Sequence, residues 1–220
     1  MNRKTAEPGA PALLALYQRL LAEHGPQHWW PAESPFEMIV GAYLTQNTSW
    51  RNVELALINL RASNKLSIAG IRDTPLSELE QLLRPSGFFR QKASRLKAFV
   101  SMLEAEHATD LAMFLALPTD ALRNRLLALP GVGLETADSI LLYAARRPIF
   151  VVDLYTRRLL QAESIYPDAL TVDYETLRLR IESALSLFYP DPAVRTYVFN
   201  EFHALIVAEG KQFRSSRIRA

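Results

Sequence analysis

LPGVGLETADSILLYAARRPIFVVDLYTRR, running from Leu129 to Arg158, is the stretch on which the reading of this chain turns. Just ahead of it, Asp120 to Leu129 carries apolar residues at helical spacing, with Thr119 in position to cap the helix. Pro130 and Gly131 end that helix, and Gly131 and Gly133 permit positive φ and close approach of another molecule to the backbone. A second helix, Leu134 to Ala145, then opens with backbone N–H groups and the positive end of its dipole. Two apolar helices joined this way make a shape that can hold a phosphate. The same residue types also build an ordinary tight turn between helices, and PGVG alone does not separate the two.

The segment after the hairpin adds a charge. Ile149-Phe150-Val151-Val152 is apolar but too short for a helix, and Asp153 then precedes the helical pattern Leu154 to Leu160. Asp153 therefore reads as an N-cap, kept ionised by N–H bonds and the helix dipole. Its position is twenty residues after Gly133. An isolated aspartate at such a place is by default only a cap. Beside a hairpin that grips a nucleic-acid backbone, an ionised carboxylate can also stabilise positive charge developing on a deoxyribose.

LPGVG, the Thr136-Ala137 pair, Ile140-Leu141 and VVD (Val151 to Asp153) together resemble the helix-hairpin-helix DNA glycosylases of the endonuclease III superfamily, over most of the chain. Trp29-Trp30-Pro31, LTQNT (Leu44 to Thr48), RPSGFFRQKA (Arg84 to Ala93) and GLETAD (Gly133 to Asp138) resemble, more narrowly, the 3-methyladenine DNA glycosylase III branch. The resemblance implies an all-α fold of two helical domains with a DNA-binding cleft between them. One would be a six-helix domain over 34–147, with its helix-hairpin-helix at 119–146; the other would join 1–33 to 148–220. Asp153 would stand at the mouth of the cleft as the catalytic carboxylate. Leu129, Gly131, Val132, Gly133 and Thr136 would bind DNA phosphate.

Two departures from endonuclease III bear on mechanism. Bifunctional members carry a lysine directly before the Thr-Ala pair, whose amine attacks the sugar C1′ and nicks the strand; here Glu135 fills that position. A carboxylate cannot form an imine. The expectation is therefore a monofunctional glycosylase, with water as nucleophile and an abasic site as product. Many members also carry a four-cysteine iron–sulfur cluster. This chain has 0 cysteines, which excludes that cluster, a disulfide and a cysteine zinc site. His24 and His28 have i, i+4 spacing, but Gly25-Pro26 breaks the helix between them, so no transition-metal site is expected. No cofactor is required; the resemblance implies a monovalent cation at the hairpin carbonyls.

An enzyme acting on a glycosidic bond inside a duplex must flip the nucleotide out. By resemblance Gln46 is the plug that fills the gap, its amide bonding the orphaned base; otherwise it is an exposed loop glutamine. Trp29, Trp30 and Trp50 are the only tryptophans, and tryptophan is as commonly core or interface. In the branch, aromatics at Trp29 and Trp50 would sandwich the flipped base, with Trp30 and Pro31 beside it. Lys211, in FHALIVAEGK, aligns with a pocket lysine and alternatively lies on DNA phosphate. N3- or N7-alkylated purines carry ring charge, and an aromatic face attracts a cation by about 0.5–2 kcal/mol. The expected substrates are therefore cationic purines such as 3-methyladenine.

Composition agrees without deciding. At 220 residues and 49% hydrophobic, the chain can bury a core. It has no run of eighteen apolar residues, so a soluble, cytoplasmic, monomeric protein partnered by damaged double-stranded DNA rather than a membrane is expected, nucleoid-associated if bacterial. Net charge is only +2, so placement matters more than total. Basic residues cluster at Arg84, Arg90, Lys92, Arg95 and Lys97, and again at Lys211, Arg214, Arg217 and Arg219, which also suits solvated helix faces. Helices are expected near 11–24, 35–46, 50–61, 76–84, 88–106, 109–116, 119–128, 134–146, 153–163, 173–187 and 191–209. Two other function classes stay open: an endonuclease III-like glycosylase/lyase for oxidised or other damaged bases, and a non-catalytic DNA-binding hairpin module.

Overall fold

The computed structural model describes residues 9–217, with side chains as far as 211. Every regular element among these residues is helical, as the strand-poor sequence predicts. The chain divides into two compact units, Pro31–Ala145 and a second assembled from residues before Pro31 and after Ala145.

The continuous unit is built around α2 (Pro35–Leu44). All residues of this helix from Phe36 to Leu44 are buried, which marks it as a central rather than a surface helix. Its start is set locally. Ser34 accepts the Glu37 N–H at 3.2 Å, and Pro35 at the first turn gives up an N–H that would have had no partner. Around it lie α3 (Trp50–Ala62), α4 (Ile68–Asp73), α5 (Leu76–Leu83), a 3₁₀ turn at Arg84–Ser86, α6 (Phe89–His107), α7 (Leu111–Leu115), α8 (Thr119–Leu127) and α9 (Leu134–Ser139). Val53, Leu57, Leu60, Leu79, Leu96, Phe99 and Phe114 supply the enclosed apolar side chains between them. Each such burial is worth about 1.5–3 kcal/mol.

The other unit contains α1 (Ala10–His24), α10 (Leu154–Ala162), α11 (Tyr174–Ser186) and α12 (Pro192–Arg217). Helix α12 packs on α1 and α10, and α1 packs on α11. At the centre, Phe150 meets Phe199 edge-on at 5.5 Å and Phe202 at 5.8 Å, while Phe202 also meets Tyr17 at 5.4 Å. Phe150 belongs to the apolar run that is too short for a helix, and it is irregular here. Its backbone is satisfied by side chains instead: the Phe150 N–H donates to Glu182 at 2.8 Å and the Val152 N–H to the Tyr174 hydroxyl at 3.3 Å.

Several local expectations need correction. Helix α4 lies where the sequence pattern shows a loop; it is a single short turn, and Ser67 caps it by accepting the Gly70 N–H at 2.9 Å. Thr119 is not the cap of α8 but its first residue, with Pro118 preceding it. The continuous helix expected over 134–146 stops at Ser139 and continues as a π-helical turn, Ile140–Ala144. The Ser139 hydroxyl donates to the Glu135 carbonyl at 2.7 Å, a side-chain bond of the kind that competes with the helix ladder. Helix α12 runs beyond 209 to Arg217. No helix among the described residues is long and apolar enough to cross a membrane.

Candidate functional site

The hairpin between α8 and α9 takes the form its residue types dictate. Gly131 has φ of 73°, which favours glycine, and the Val132 N–H donates to the Leu129 carbonyl at 3.2 Å to close the turn. Leu129 and Val132 are buried at 7% exposure each, leaving Gly131 and Gly133 outside. A methyl group on Gly131 would stand 2.0 Å from Nε of Arg95, so Gly131 is needed for space as well as for backbone angle. The two helices are clamped by a forked ion pair. Arg123 on α8 donates to both oxygens of Asp138 at 2.7 and 3.1 Å, and Asp138 is fully buried. GLETAD thus ends in a structural carboxylate, a role its sequence position alone does not reveal.

Gln46 is not a free loop side chain. Its amide nitrogen donates to the Gly131 carbonyl and to the Thr136 hydroxyl, both at 3.0 Å, and its oxygen accepts from Arg95 at 2.7 Å. The plug candidate and two of the hairpin residues therefore share one hydrogen-bonded group with Arg95. Lys92 sets the approach to it. Buried at 1% exposure, it donates to the Leu44 carbonyl at 2.9 Å and the Ser86 carbonyl at 2.7 Å, closing the end of α2 just before the Gln46 loop. Burial, with a smaller contribution from Arg95, lowers its pKa to about 8.

The basic cluster expected along this segment is largely turned inward. Lys92 is internal, Arg95 serves Gln46, and Lys97 donates to the Arg72 carbonyl at 2.7 Å and to the Thr74 carbonyl. Arg84 and Arg90 are exposed. Of the second cluster, only Lys211 has a described side chain; Arg214, Arg217 and Arg219 lie outside the described residues in that respect.

Asp153 caps α10, accepting the Thr156 N–H on Oδ1 at 2.7 Å. Its other oxygen stands 3.7 Å from Nε2 of His203 on α12, and both side chains are mostly enclosed, at 13% and 8% exposure. Burial pushes the carboxyl up, but the neighbouring His203 imidazole and the Thr156 N–H outweigh it, and the pKa falls below the ordinary value. Near the start of the same unit, Trp29 and Trp30 lie with ring centres 5.4 Å apart. The Lys211 ammonium stands over Trp29 at 5.6 Å, within cation–π reach. Gly210 allows this part of α12 to pack closely, since a Cβ there would meet Tyr155 at 2.2 Å. His24 is engaged by Glu209 at 2.7 Å. Pro31 and Trp50 belong to the other unit; Pro31 is exposed, and the Trp50 ring N–H donates to Glu54 at 2.6 Å. Glu135 lies in the first turn of α9 and is exposed.

Comparison with known proteins identifies the family. Residues 40–178 match the model of the HhH-GPD superfamily of base excision DNA repair proteins. The chain belongs to this superfamily. It is 38% identical over 199 residues to a protein of Methanocaldococcus jannaschii provisionally named a DNA repair glycosylase, covering 90% of this chain and 86% of that one. The crystal structure of an H. pylori 3-methyladenine DNA glycosylase bound to 1,N6-ethenoadenine is similar at 29% identity and a TM-score of 0.77, over 93% of this chain and 97% of that chain. A trapped endonuclease III–DNA complex shares the fold, with a TM-score of 0.65 at 21% identity, over 88% of this chain and 84% of that chain.

Membership of the HhH-GPD superfamily makes the chain a base-excision DNA glycosylase. With 0 cysteines, it has no ligands for a cysteine-held iron–sulfur cluster. Arg95, in the continuous unit, and His203, in the other, are not singled out by sequence reasoning. Arg95 carries only the signal of a basic run, and His203 lies 50 residues from Asp153 (203 minus 153) with no motif linking them.

Proposed function

We propose that this glycosylase is monofunctional and excises alkylated, positively charged purines such as 3-methyladenine from duplex DNA. The observation that carries the reading is the ionised Asp153 carboxylate, with Glu135 at the position where a lyase needs an amine. The N-glycosidic bond breaks with its electron pair passing to the base, which neutralises the ring cation. The oxocarbenium-like sugar left behind is stabilised by the Asp153 carboxylate. Water then adds at C1′ and loses its proton, giving an abasic site without a nick. A cationic base is already a good leaving group, so no strong acid is required.

Double-stranded damaged DNA is the partner. Leu129, Gly131, Val132, Gly133 and Thr136 carry the phosphate-binding hairpin, and Gln46 fills the gap left by the extruded nucleotide. Trp29 supplies an aromatic face for the base, supported by the ammonium it already accommodates. Roles in base binding for Trp30, Pro31, Trp50 and Lys211 rest on the family resemblance. A monovalent cation at the hairpin, which the resemblance implies, would use the lone pairs that the Leu129 and Gly131 carbonyls keep beside the bonds they accept from the Val132 N–H and the Gln46 amide. No step is routed through it.

The test is base release from methylated duplex DNA, with chromatography of the free bases and a parallel gel for nicking without alkali. Release of 3-methyladenine with no nick is expected. A nick, or release of oxidised pyrimidines alone, contradicts the proposal.

A further inference from the structure

We infer that His203 is the positioning residue of the catalytic carboxylate: from α12 its Nε2 faces Oδ2 of Asp153 within ion-pair distance while the Thr156 N–H holds Oδ1, so that the carboxylate is bounded from two elements at once. The inference rests on the reading of Asp153 as the group that stabilises the deoxyribose cation. Its geometric basis is independent of that reading. A cap needs only one carboxylate oxygen, and Oδ1 fills that need at 2.7 Å. The second oxygen faces Nε2 of His203 at 3.7 Å in a largely enclosed space. The imidazole ring is itself set edge-on against Phe150, at 6.4 Å and 89°. Phe150 sits in the aromatic centre of the unit, three residues before Asp153, so the ring and the carboxylate are referenced to the same rigid core.

Neighbouring charged groups are committed elsewhere. On α10, Arg157 donates to the Ala169 and Val172 carbonyls. On α11, Glu182 takes the Phe150 N–H and Arg178, and the Tyr174 hydroxyl takes the Val152 N–H. On α12, Glu201 accepts the Gln27 N–H and Glu209 holds His24 of α1. Tyr17 of α1 has its pKa raised to about 12, chiefly by burial, and carries no charge near neutrality. His203 is thus the side chain whose ring nitrogen stands within ion-pair distance of Asp153. Its contribution lowers the carboxyl pKa against the upward push of burial. Without His203 the carboxyl pKa rises, so the acid limb of the rate profile moves to higher pH.

The probe is a duplex containing one N7-methylguanine, assayed under single-turnover conditions across pH, with DNA affinity measured by anisotropy. In parallel, the Asp153 carboxyl carbon is titrated by NMR in the free protein. His203→Phe is expected to lower the rate roughly 10- to 100-fold, to move the acid limb and the NMR midpoint upward together, and to leave DNA affinity within about twofold. His203→Gln, which keeps a donor near the Nε2 position, should restore most of the rate. An NMR midpoint and a rate profile unchanged in His203→Phe overturn the inference. If His203→Phe does not fold, His203→Asn, whose amide cannot reach the Nε2 position, takes its place with the same expectations. If wild-type protein releases no methylated purine while the midpoint still moves, the pairing stands and the proposed function fails.

Discussion

The hairpin and the Asp153 cap use opposite constructions. Around the hairpin, the construction is largely backbone: a turn whose φ of 73° favours glycine, a carbonyl taken by Gln46, and Arg95 and Lys92 bonded to neutral oxygens. Around Asp153, the group proposed to act is one side chain, and the imidazole that faces it comes from another helix 50 residues on (203 minus 153). A backbone device fails by losing shape. A carboxylate device fails by losing charge while its shape survives. Changes near the hairpin should therefore appear first in stability and DNA affinity, and changes at Asp153 first in the chemical step.

The largest stability loss is expected from Arg123→Met. It removes both Arg123 donors from the fully buried Asp138 carboxylate and should cost about 3–5 kcal/mol in denaturant unfolding. A loss under about 1 kcal/mol would mean the clamp is dispensable. Gly131→Ala comes next. It forces a side chain to a φ of 73° and against Arg95. About 1–2 kcal/mol of stability should go, with weaker duplex binding in anisotropy and an unchanged single-turnover rate at saturating protein.

The effect most specific in sign concerns Lys92. Its folded pKa of about 8 lies below the value of roughly 10.4 expected in an unfolded chain. Between those values the unfolded state holds more protons, so folded stability gains as pH rises through that window. Lys92→Met leaves two carbonyls without their donor, at about 1–3 kcal/mol, and lacks this pH dependence. Melting curves should show wild type pulling ahead of the variant from about pH 8 toward roughly 10. A constant gap would mean that burial does not depress the lysine.

These two constructions also explain what is legible in the sequence. PGVG, the Ser34-Pro35 start of α2 and the Asp153 cap are local codes, in which residue type and backbone geometry lie within a few positions of each other. They can be read directly, as can the helical character of the fold. Helix α4 cannot, because a six-residue turn has too little periodicity to stand out. The π-helical turn that begins at Ile140 leaves no mark in the apolar spacing. The inward turn of Lys92 and Lys97 is hidden because lysines buried on carbonyls and lysines facing solvent look alike in a basic run. Arg95 on Gln46, Arg123 on Asp138 and His203 on Asp153 are set by how helices pack, and the linear spacing of these pairs carries no signature of it.

The most direct measurement is single-turnover release of 3-methyladenine from methylated duplex DNA by Asp153→Asn beside wild type, with affinity and melting temperature recorded on the same samples. Asparagine caps a helix about as well as aspartate, so the fold and the DNA binding should survive. The account predicts a rate lowered by about 10²- to 10³-fold, with affinity and melting nearly unchanged. An Asp153→Asn protein that releases the base at the wild-type rate would contradict it, and would leave Asp153 as a helix cap alone.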